Sequence, residues 1–237
     1  MSMIISIVGC DGIVMAADKA RSKHIIANDH GLLLQAIANP QYKKDFFEKI
    51  DSGVDDNLSF CYSNTDSKIM LLKNNIAVSS GGGWLIAGGS IKPRLEHLFD
   101  VKNFDTPKEA AEQLSKYLKE EHPGLKAGFH VCGYIQRGNE RPLPVAYFVN
   151  NFEHTVEAIG ENGNTGMFQH AANGYMLEFS KGMANLIKMF SLQDLIEYAA
   201  FAVKASAMYE KYILLNNRIQ GLDILTITPK GAEWVNI

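Results

Sequence analysis

The stretch from Ile7 to Asp18 reads IVGCDGIVMAAD, and it decides the fold prediction. Asp11-Gly12 at its centre is a residue pair that forms tight turns between strands. Apolar runs lie on both sides of this pair, from Met3 to Val8 before it and from Ile13 to Ala17 after it. The sequence therefore predicts that the chain opens with a β-hairpin.

A second hairpin and two helices are predicted in the middle of the chain. The hairpin combines Lys68 to Leu72 with Ile76 to Ser79 and runs into Gly81-Gly82-Gly83. Apolar residues at three and four spacing predict a helix from Trp84 to Phe99. Thr106-Pro107-Lys108-Glu109 supplies an N-cap, a proline at the first helical position and a capping-box glutamate, so a second helix starts there.

The second half of the chain repeats this alternation of strands and helices. Helical patterns occur between Met167 and Met189 and again from Leu192 to about Tyr212. The predicted strands before and after them are Gly128 to Ile135, Leu143 to Val149, His154 to Ile159, Leu222 to Ile227 and Ala232 to Val235.

This order of elements predicts an α+β fold, a four-layer αββα sandwich in which helices cover both outer faces of two packed sheets. We expect residues 1–237 to form a single domain, since one sandwich can absorb the whole length. The less regular segment at about 24–66 is interpreted as an insertion into that domain.

Composition and charge exclude several classes of function. The formal net charge is −3 with no basic run, which argues against nucleic acid and anionic membranes as partners. The three cysteines, Cys10, Cys61 and Cys132, form no CxxC pair, and the apolar start lacks a basic n-region, so a cytoplasmic location is predicted. The seven histidines show no metal-ligand spacing and the glycines form no phosphate loop, so neither a metal nor a cofactor is expected.

Two blocks of this sequence resemble the proteasome β subunits. The first is Ile7 to Asp18, which is similar to the opening of those subunits, where the second strand ends in Ala-Ala-Asp. In that family the catalytic residue begins the mature chain, sixteen positions before this aspartate. The resemblance thus implies Ser2 as the nucleophile, exposed by removal of Met1, with Asp18 beside it.

The second block runs from Ser67 to Gly83 and resembles the family's lysine strand, its turn and its small-residue strand. The resemblance implies that Lys68 is the catalytic lysine and that the backbone amide of Gly82 contributes to the oxyanion hole. A serine and an aspartate that support the terminal amine in that family are replaced here by Glu161 and Glu210. The fold that it implies is the N-terminal-nucleophile (Ntn) hydrolase sandwich.

The chemistry of such a site explains the residue types. A serine hydroxyl needs a base near neutral pH, and a free α-amine, with a pKa of roughly 7.7 to 8.0, can be that base. Lys68, held by Asp18, would place a positive charge beside the hydroxyl and favour its deprotonated form. An oxyanion-hole amide such as that of Gly82 is typically worth about 2.7 to 4 kcal/mol.

The resemblance implies an amide hydrolase, a peptidase acting on peptides or proteins, which assembles as a homo-oligomeric ring and has an ATPase as a candidate partner. Two alternatives remain open. One is a catalytically silent ring or scaffold protein, motivated by Glu161 and by the replacement of the family's Tyr-Ser-Gly-Gly loop with Tyr212 to Asn217. The other is a peptide ligase or transpeptidase of the same fold. Each site residue also has an ordinary structural interpretation. Ser2 can be a plain chain end, and Asp18 and Lys68 a surface ion pair.

Overall fold

A computed structural model describes residues 3–19, 67–82, 85–86, 89–170, 182–183, 185–212 and 221–236 of the 237-residue chain. The predicted insertion at about 24–66 lies outside the described residues, and so does Ser2. The division of the chain into domains therefore stays a prediction. The described strands are β1 (Ile4–Val8), β2 (Ile13–Asp18), β3 (Ile69–Leu71), β4 (Ala77–Gly82), β5 (Leu85–Ile86), β6 (Gly89–Ser90), β7 (Ala127–Ile135), β8 (Leu143–Asn150), β9 (Thr155–Ile159), β10 (Gly166–His170), β11 (Leu222–Thr228) and β12 (Gly231–Val235).

Two five-stranded antiparallel sheets form the centre of the fold. Sheet 1 has the order β10-β1-β2-β11-β12, and sheet 2 has the order β3-β4-β7-β8-β9. The predicted opening hairpin is confirmed, since Ile4 pairs with Ala17 and Val8 pairs with Ile13 across β1 and β2. The second predicted hairpin is confirmed as well, and its connection is a short 3-10 helix over Lys73–Asn75.

The described helices are α1 (Lys92–Val101), α2 (Pro107–Glu121) and α3 (Leu192–Tyr212). The predicted start of α2 is confirmed in detail, because the Oγ1 atom of Thr106 accepts a hydrogen bond from the Glu109 amide at 3.2 Å. The predicted span of α3 is also confirmed. Among the helices described, none is both long enough and apolar enough to cross a membrane.

The apolar side chains separate into three buried clusters, which define the layers. On β1, Ile5 and Ile7 pack with α3, while Ile4 and Val8 point to the opposite face and pack between the two sheets. Residues of α1 and α2 pack on the outer face of sheet 2. The order of layers is therefore helices, sheet 2, sheet 1 and helix, and the predicted four-layer αββα sandwich is confirmed.

Two predicted helices are corrected by the structure. The helix expected from Trp84 to Phe99 begins only at Lys92. Pro93 lies in its first turn, where backbone amides have no partner within the helix, so the missing N–H of proline costs no hydrogen bond. Short strands β5 and β6 precede it. The helix expected somewhere between Met167 and Met189 does not include the first residues of that range, because Gly166–His170 forms β10 and pairs along all of β1. Residues 171–181 of the range lie outside the described part of the chain. Pairing with a distant strand overrides the local pattern there.

Candidate active site

The first described residue and the end of β2 are joined by two backbone-centred hydrogen bonds. The Asp18 amide donates to the Met3 carbonyl at 3.1 Å, and the Met3 amide donates to the carboxylate Oδ1 of Asp18 at 2.6 Å. Since Met3 directly follows Ser2, the Asp18 carboxylate is bound to the residue next to the predicted nucleophile.

Lys68 approaches the same carboxylate from the other sheet. Its Nζ atom donates to Asp18 Oδ2 at 2.7 Å, and both side chains are 0% exposed. The two carboxylate oxygens of Asp18 thus hold two different strands, β1 through Met3 and the start of β3 through Lys68. A surface ion pair, the ordinary structural interpretation, does not fit this burial.

The backbone of Lys68 is hydrogen-bonded to β4, the strand that carries Gly82, the glycine predicted for the oxyanion hole. The Ser80 amide donates to the Lys68 carbonyl at 3.3 Å, and Gly82 lies two residues further along β4, about 6.6 Å in an extended strand. Gly82 has a φ of +96°, and a Cβ there would lie 2.7 Å from the Lys126 carbonyl oxygen. Glycine is required at this position for both reasons.

Of the six predicted site residues, the structure brings Asp18 and Lys68 into contact and connects them to the strand that carries Gly82. Ser2 and the side chain of Glu210 lie outside the described part of the chain, although the backbone of Glu210 belongs to α3. Their roles stay predictions.

Glu161 lies away from the Asp18–Lys68 pair. It follows β9, the edge strand of sheet 2 opposite to the β3 edge that Lys68 precedes, so about four strand spacings, roughly 19 Å, separate the two edges. Its carboxylate accepts a hydrogen bond from the Tyr147 hydroxyl at 2.8 Å and lies 3.7 Å from the Lys108 Nζ atom. The expectation that Glu161 stands beside the terminal amine is corrected by this position.

The strand that ends beside the Met3–Asp18 junction is β10, and its last residue is His170. His170 pairs with Ile4 in the ladder, and its ring atom Cδ2 would lie 2.7 Å from a Cβ added to Gly81. Burial lowers the pKa of His170, which favours the neutral ring. Sequence reasoning missed this residue, because a lone histidine carries no spacing signal and the pairing of β10 with β1 is a tertiary fact.

A buried histidine lies deeper between the sheets. His130 Nδ1 and Ser6 Oγ are 2.9 Å apart, and the His130 ring packs edge-to-face on Phe148 at 5.4 Å. Burial lowers the pKa of His130 to about 3, so the ring is neutral. Burial also raises the pKa of the neighbouring Cys132 thiol to about 12, which makes it an unreactive core residue.

No family model matches the chain, and no curated protein sequence matches it. Among solved structures, the chain is similar to the Anbu (Gly-1) mutant from Hyphomicrobium sp. strain MC1, with 15% sequence identity and a TM-score of 0.61. The match covers 100% of this chain and 85% of that chain. At this level of identity the likeness shows the fold and nothing finer.

The predicted assignment to the proteasome β subunits is therefore wrong at the level of the family. The structural likeness is to an Anbu protein, and no family-level match connects the chain with a β subunit. The resemblance of the two sequence blocks indicated the fold, which related and unrelated families share. The chain has the proteasome-like Ntn-hydrolase fold, with two antiparallel sheets between helical layers.

Proposed function

We propose that this protein is an Ntn amide hydrolase that cleaves peptides, with Ser2 as its nucleophile after removal of Met1. The observation that carries the proposal is the fully buried Asp18–Lys68 pair, hydrogen-bonded through Asp18 to the amide of Met3. This arrangement binds the Asp18 carboxylate to the residue that follows Ser2, and binds the Lys68 ammonium to that carboxylate. The fold, which is that of Ntn hydrolases, agrees with this chemistry.

The proposed reaction runs through an acyl-enzyme. The α-amine of Ser2 takes the hydroxyl proton as the Ser2 oxygen attacks the peptide carbonyl carbon, and the Gly82 amide donates to the resulting oxyanion. As the C–N bond breaks, the α-ammonium returns the proton to the departing amine. Water then attacks the ester, again with the α-amine as base, which releases the acid and restores Ser2.

The burial of Lys68 supports a functional interpretation of the pair. Removing two charges from water costs several kcal/mol for each ion, and well-packed apolar residues often stabilise a protein as well or better. A contribution to stability is therefore a weak explanation for the presence of a buried ion pair. A lysine ammonium in a poorly solvated site has a strong electrostatic effect on a neighbouring hydroxyl, because screening by water is reduced.

The described contacts of Glu161 weaken one of the two arguments for the silent-scaffold alternative, and the other, the replaced loop after Tyr212, lies outside the described residues. That alternative assumed a carboxylate beside the terminal amine, whereas Glu161 is bound to Tyr147 at the far edge of sheet 2. Transfer of the acyl group to a peptide amine, as in a ligase, uses the same intermediate. Product analysis with a competing peptide amine distinguishes transfer from hydrolysis.

The test has two measurements on the native protein. Mass spectrometry of the amino terminus should show a chain that begins at Ser2, and a β-lactone probe should label that residue. Ser2→Ala should abolish labelling and peptide cleavage, Ser2→Thr should retain both, and Ser115→Ala on α2 serves as the matched control. An intact Met1, or cleavage unchanged by Ser2→Ala, would contradict the proposal.

Assembly and location are proposed together with this activity. We propose a homo-oligomeric ring in the cytosol, supported by large apolar side chains that stay exposed, such as Phe201 at 52% and Trp234 at 47%. The free thiol of Cys10 at the surface suits a reducing compartment. Native mass spectrometry measures the subunit number, and a monomer at micromolar concentration would contradict the ring. An ATPase partner stays a prediction.

A further inference from the structure

A pair of glycines opens a notch in sheet 2 at the end that carries the candidate site. Gly81 on β4 and Gly128 on β7 lie directly opposite each other in the ladder. A Cβ on Gly81 would lie 2.7 Å from His170 Cδ2, and a Cβ on Gly128 would lie 3.4 Å from His170 Nδ1 and 2.7 Å from Phe148 Cε2. The imidazole of His170, which belongs to sheet 1, therefore occupies the space that a side chain at Gly81 would need. At Gly128 that space is taken by Phe148, and His170 lies at van der Waals distance.

His170 is bound at the same time to the strand that begins the protein. It pairs with Ile4 in the β1–β10 ladder, and Ile4 Cγ1 would itself lie 3.3 Å from a Cβ on Gly81. Ile4 is two residues after Ser2, and Gly81 is directly before Gly82. His170 thus packs against β4, which carries the proposed oxyanion donor, and pairs with β1, the strand that follows the proposed nucleophile in the sequence.

We propose that His170 is a positioning residue for the reaction, which fixes β1, the strand that follows Ser2 in the sequence, relative to the Gly82 amide on β4. This inference rests on the proposed function. An oxyanion donor is effective only within about 2.7 to 3.1 Å of the developing charge, and a displacement of about 1 Å can cost on the order of 100-fold in rate. A planar ring set against two glycines gives a contact with little freedom to adjust.

The surroundings of the ring are consistent with a packing role. Among the described residues, the titratable group that faces it is His130 on β7, whose own ring is neutral, while β1, β4 and β8 present Ile4, Gly81 and Phe148. An uncharged imidazole fits among these groups without an ionic partner, since no buried charge has to be compensated.

The test compares four variants on a fluorogenic peptide amide that the wild type cleaves. His170→Ala should lower kcat by about 10- to 100-fold with little change in KM, because the substrate still binds and the donor is misplaced. His170→Phe keeps a planar ring without nitrogens and should retain most of the wild-type kcat. Gly81→Ala should lower kcat, since its methyl group displaces the ring, and the double variant with His170→Ala should lose less than the product of the two single losses.

The unfolding temperature of each variant and the exposed-histidine control His97→Ala separate positioning from loss of folding. A His170→Ala protein with wild-type kcat, or with a loss confined to KM or accompanied by unfolding, would overturn the inference. So would strictly multiplicative losses in the double variant. A wild-type protein that the β-lactone does not label and that cleaves no peptide overturns the proposed function, and this inference with it. Labelling of the wild type with an unaffected His170→Ala variant overturns the inference alone.

Discussion

Two lysine–aspartate pairs lie side by side at the end of β2 and differ in their burial. Lys68 Nζ is 2.7 Å from Asp18 Oδ2, with both side chains 0% exposed. Lys19 Nζ is 3.0 Å from Asp223 Oδ1, with the side chains 38% and 13% exposed. Asp18 and Lys19 are neighbours in sequence and the two distances are similar, so what separates the pairs is the access of water. That access decides how strongly each charge acts on its surroundings.

The largest expected effect is the loss of one partner of the buried pair. Lys68→Ala leaves the Asp18 carboxylate buried without its lysine, and we expect the free energy of unfolding to fall by about 3–5 kcal/mol. Cleavage by Ser2 should be lost as well. Guanidinium unfolding measures the first effect, and Lys73→Ala, an exposed lysine on the short helix after β3, is the control. A loss of less than about 1 kcal/mol would place this pair with ordinary surface pairs.

The buried neutral histidine offers a second contrast with the buried ion pair. Burial lowers the pKa of His130 to about 3 in the folded state, below its ordinary value of 6.5, so the unfolded chain binds an additional proton between these two pH values. The stabilising contribution is therefore complete above pH 6.5 and is lost as the pH falls toward 3. Unfolding measured from pH 7 to pH 4 should show this decrease, and His130→Phe should show a smaller one. An identical pH profile in both proteins would contradict the assignment.

A paired substitution separates stability from function in the buried pair. Asp18→Asn combined with Lys68→Met removes both charges, while the Asn oxygen can still accept from the Met3 amide. Because no uncompensated charge remains buried, we expect this variant to be more stable than Lys68→Ala but inactive. Thermal unfolding and peptide cleavage measure the two properties. An active double variant would show that the pair serves the fold alone.

The smallest expected effect belongs to the partly exposed pair, Lys19–Asp223. Lys19→Ala should change the free energy of unfolding by about 0–1 kcal/mol. Water screens the lysine charge, and holding the long lysine side chain in the ion pair costs entropy that offsets the attraction. The same urea or guanidinium titration measures it. A loss as large as that of Lys68→Ala would mean that burial does not distinguish the two pairs.

Much of the fold could be predicted because its signals are local. Asp11-Gly12 between two apolar runs predicted the opening hairpin, and the Thr106 cap with Glu109 predicted the start of α2. The helical pattern expected somewhere between Met167 and Met189 does not extend over Met167 to His170, because these residues form a strand through pairing with β1. Local patterns carry no information about such a partner.

The candidate site divides in the same way. The resemblance of two sequence blocks to the proteasome β subunits implied Asp18, Lys68 and Gly82 as a set, and the contact between Asp18 and Lys68 agrees with that selection. The same reasoning assigned Glu161 to this set and missed His170. Both errors have one cause. Pairing between distant segments of the chain decides which strand ends lie next to each other, and the local sequence does not record that pairing.

The sequence by itself determined the layer order of the sandwich, because turn residues, caps and apolar periodicity act over a few positions. The chemistry to test and the residues that could carry it were implied by the resemblance of two sequence blocks to a known family. Only the tertiary structure decided that the Asp18–Lys68 pair is buried while Lys19–Asp223 stays partly exposed to water, and that the His170 ring fills the space beside Gly81. Burial and contact between sheets depend on all the layers at once, and no short stretch of chain encodes them.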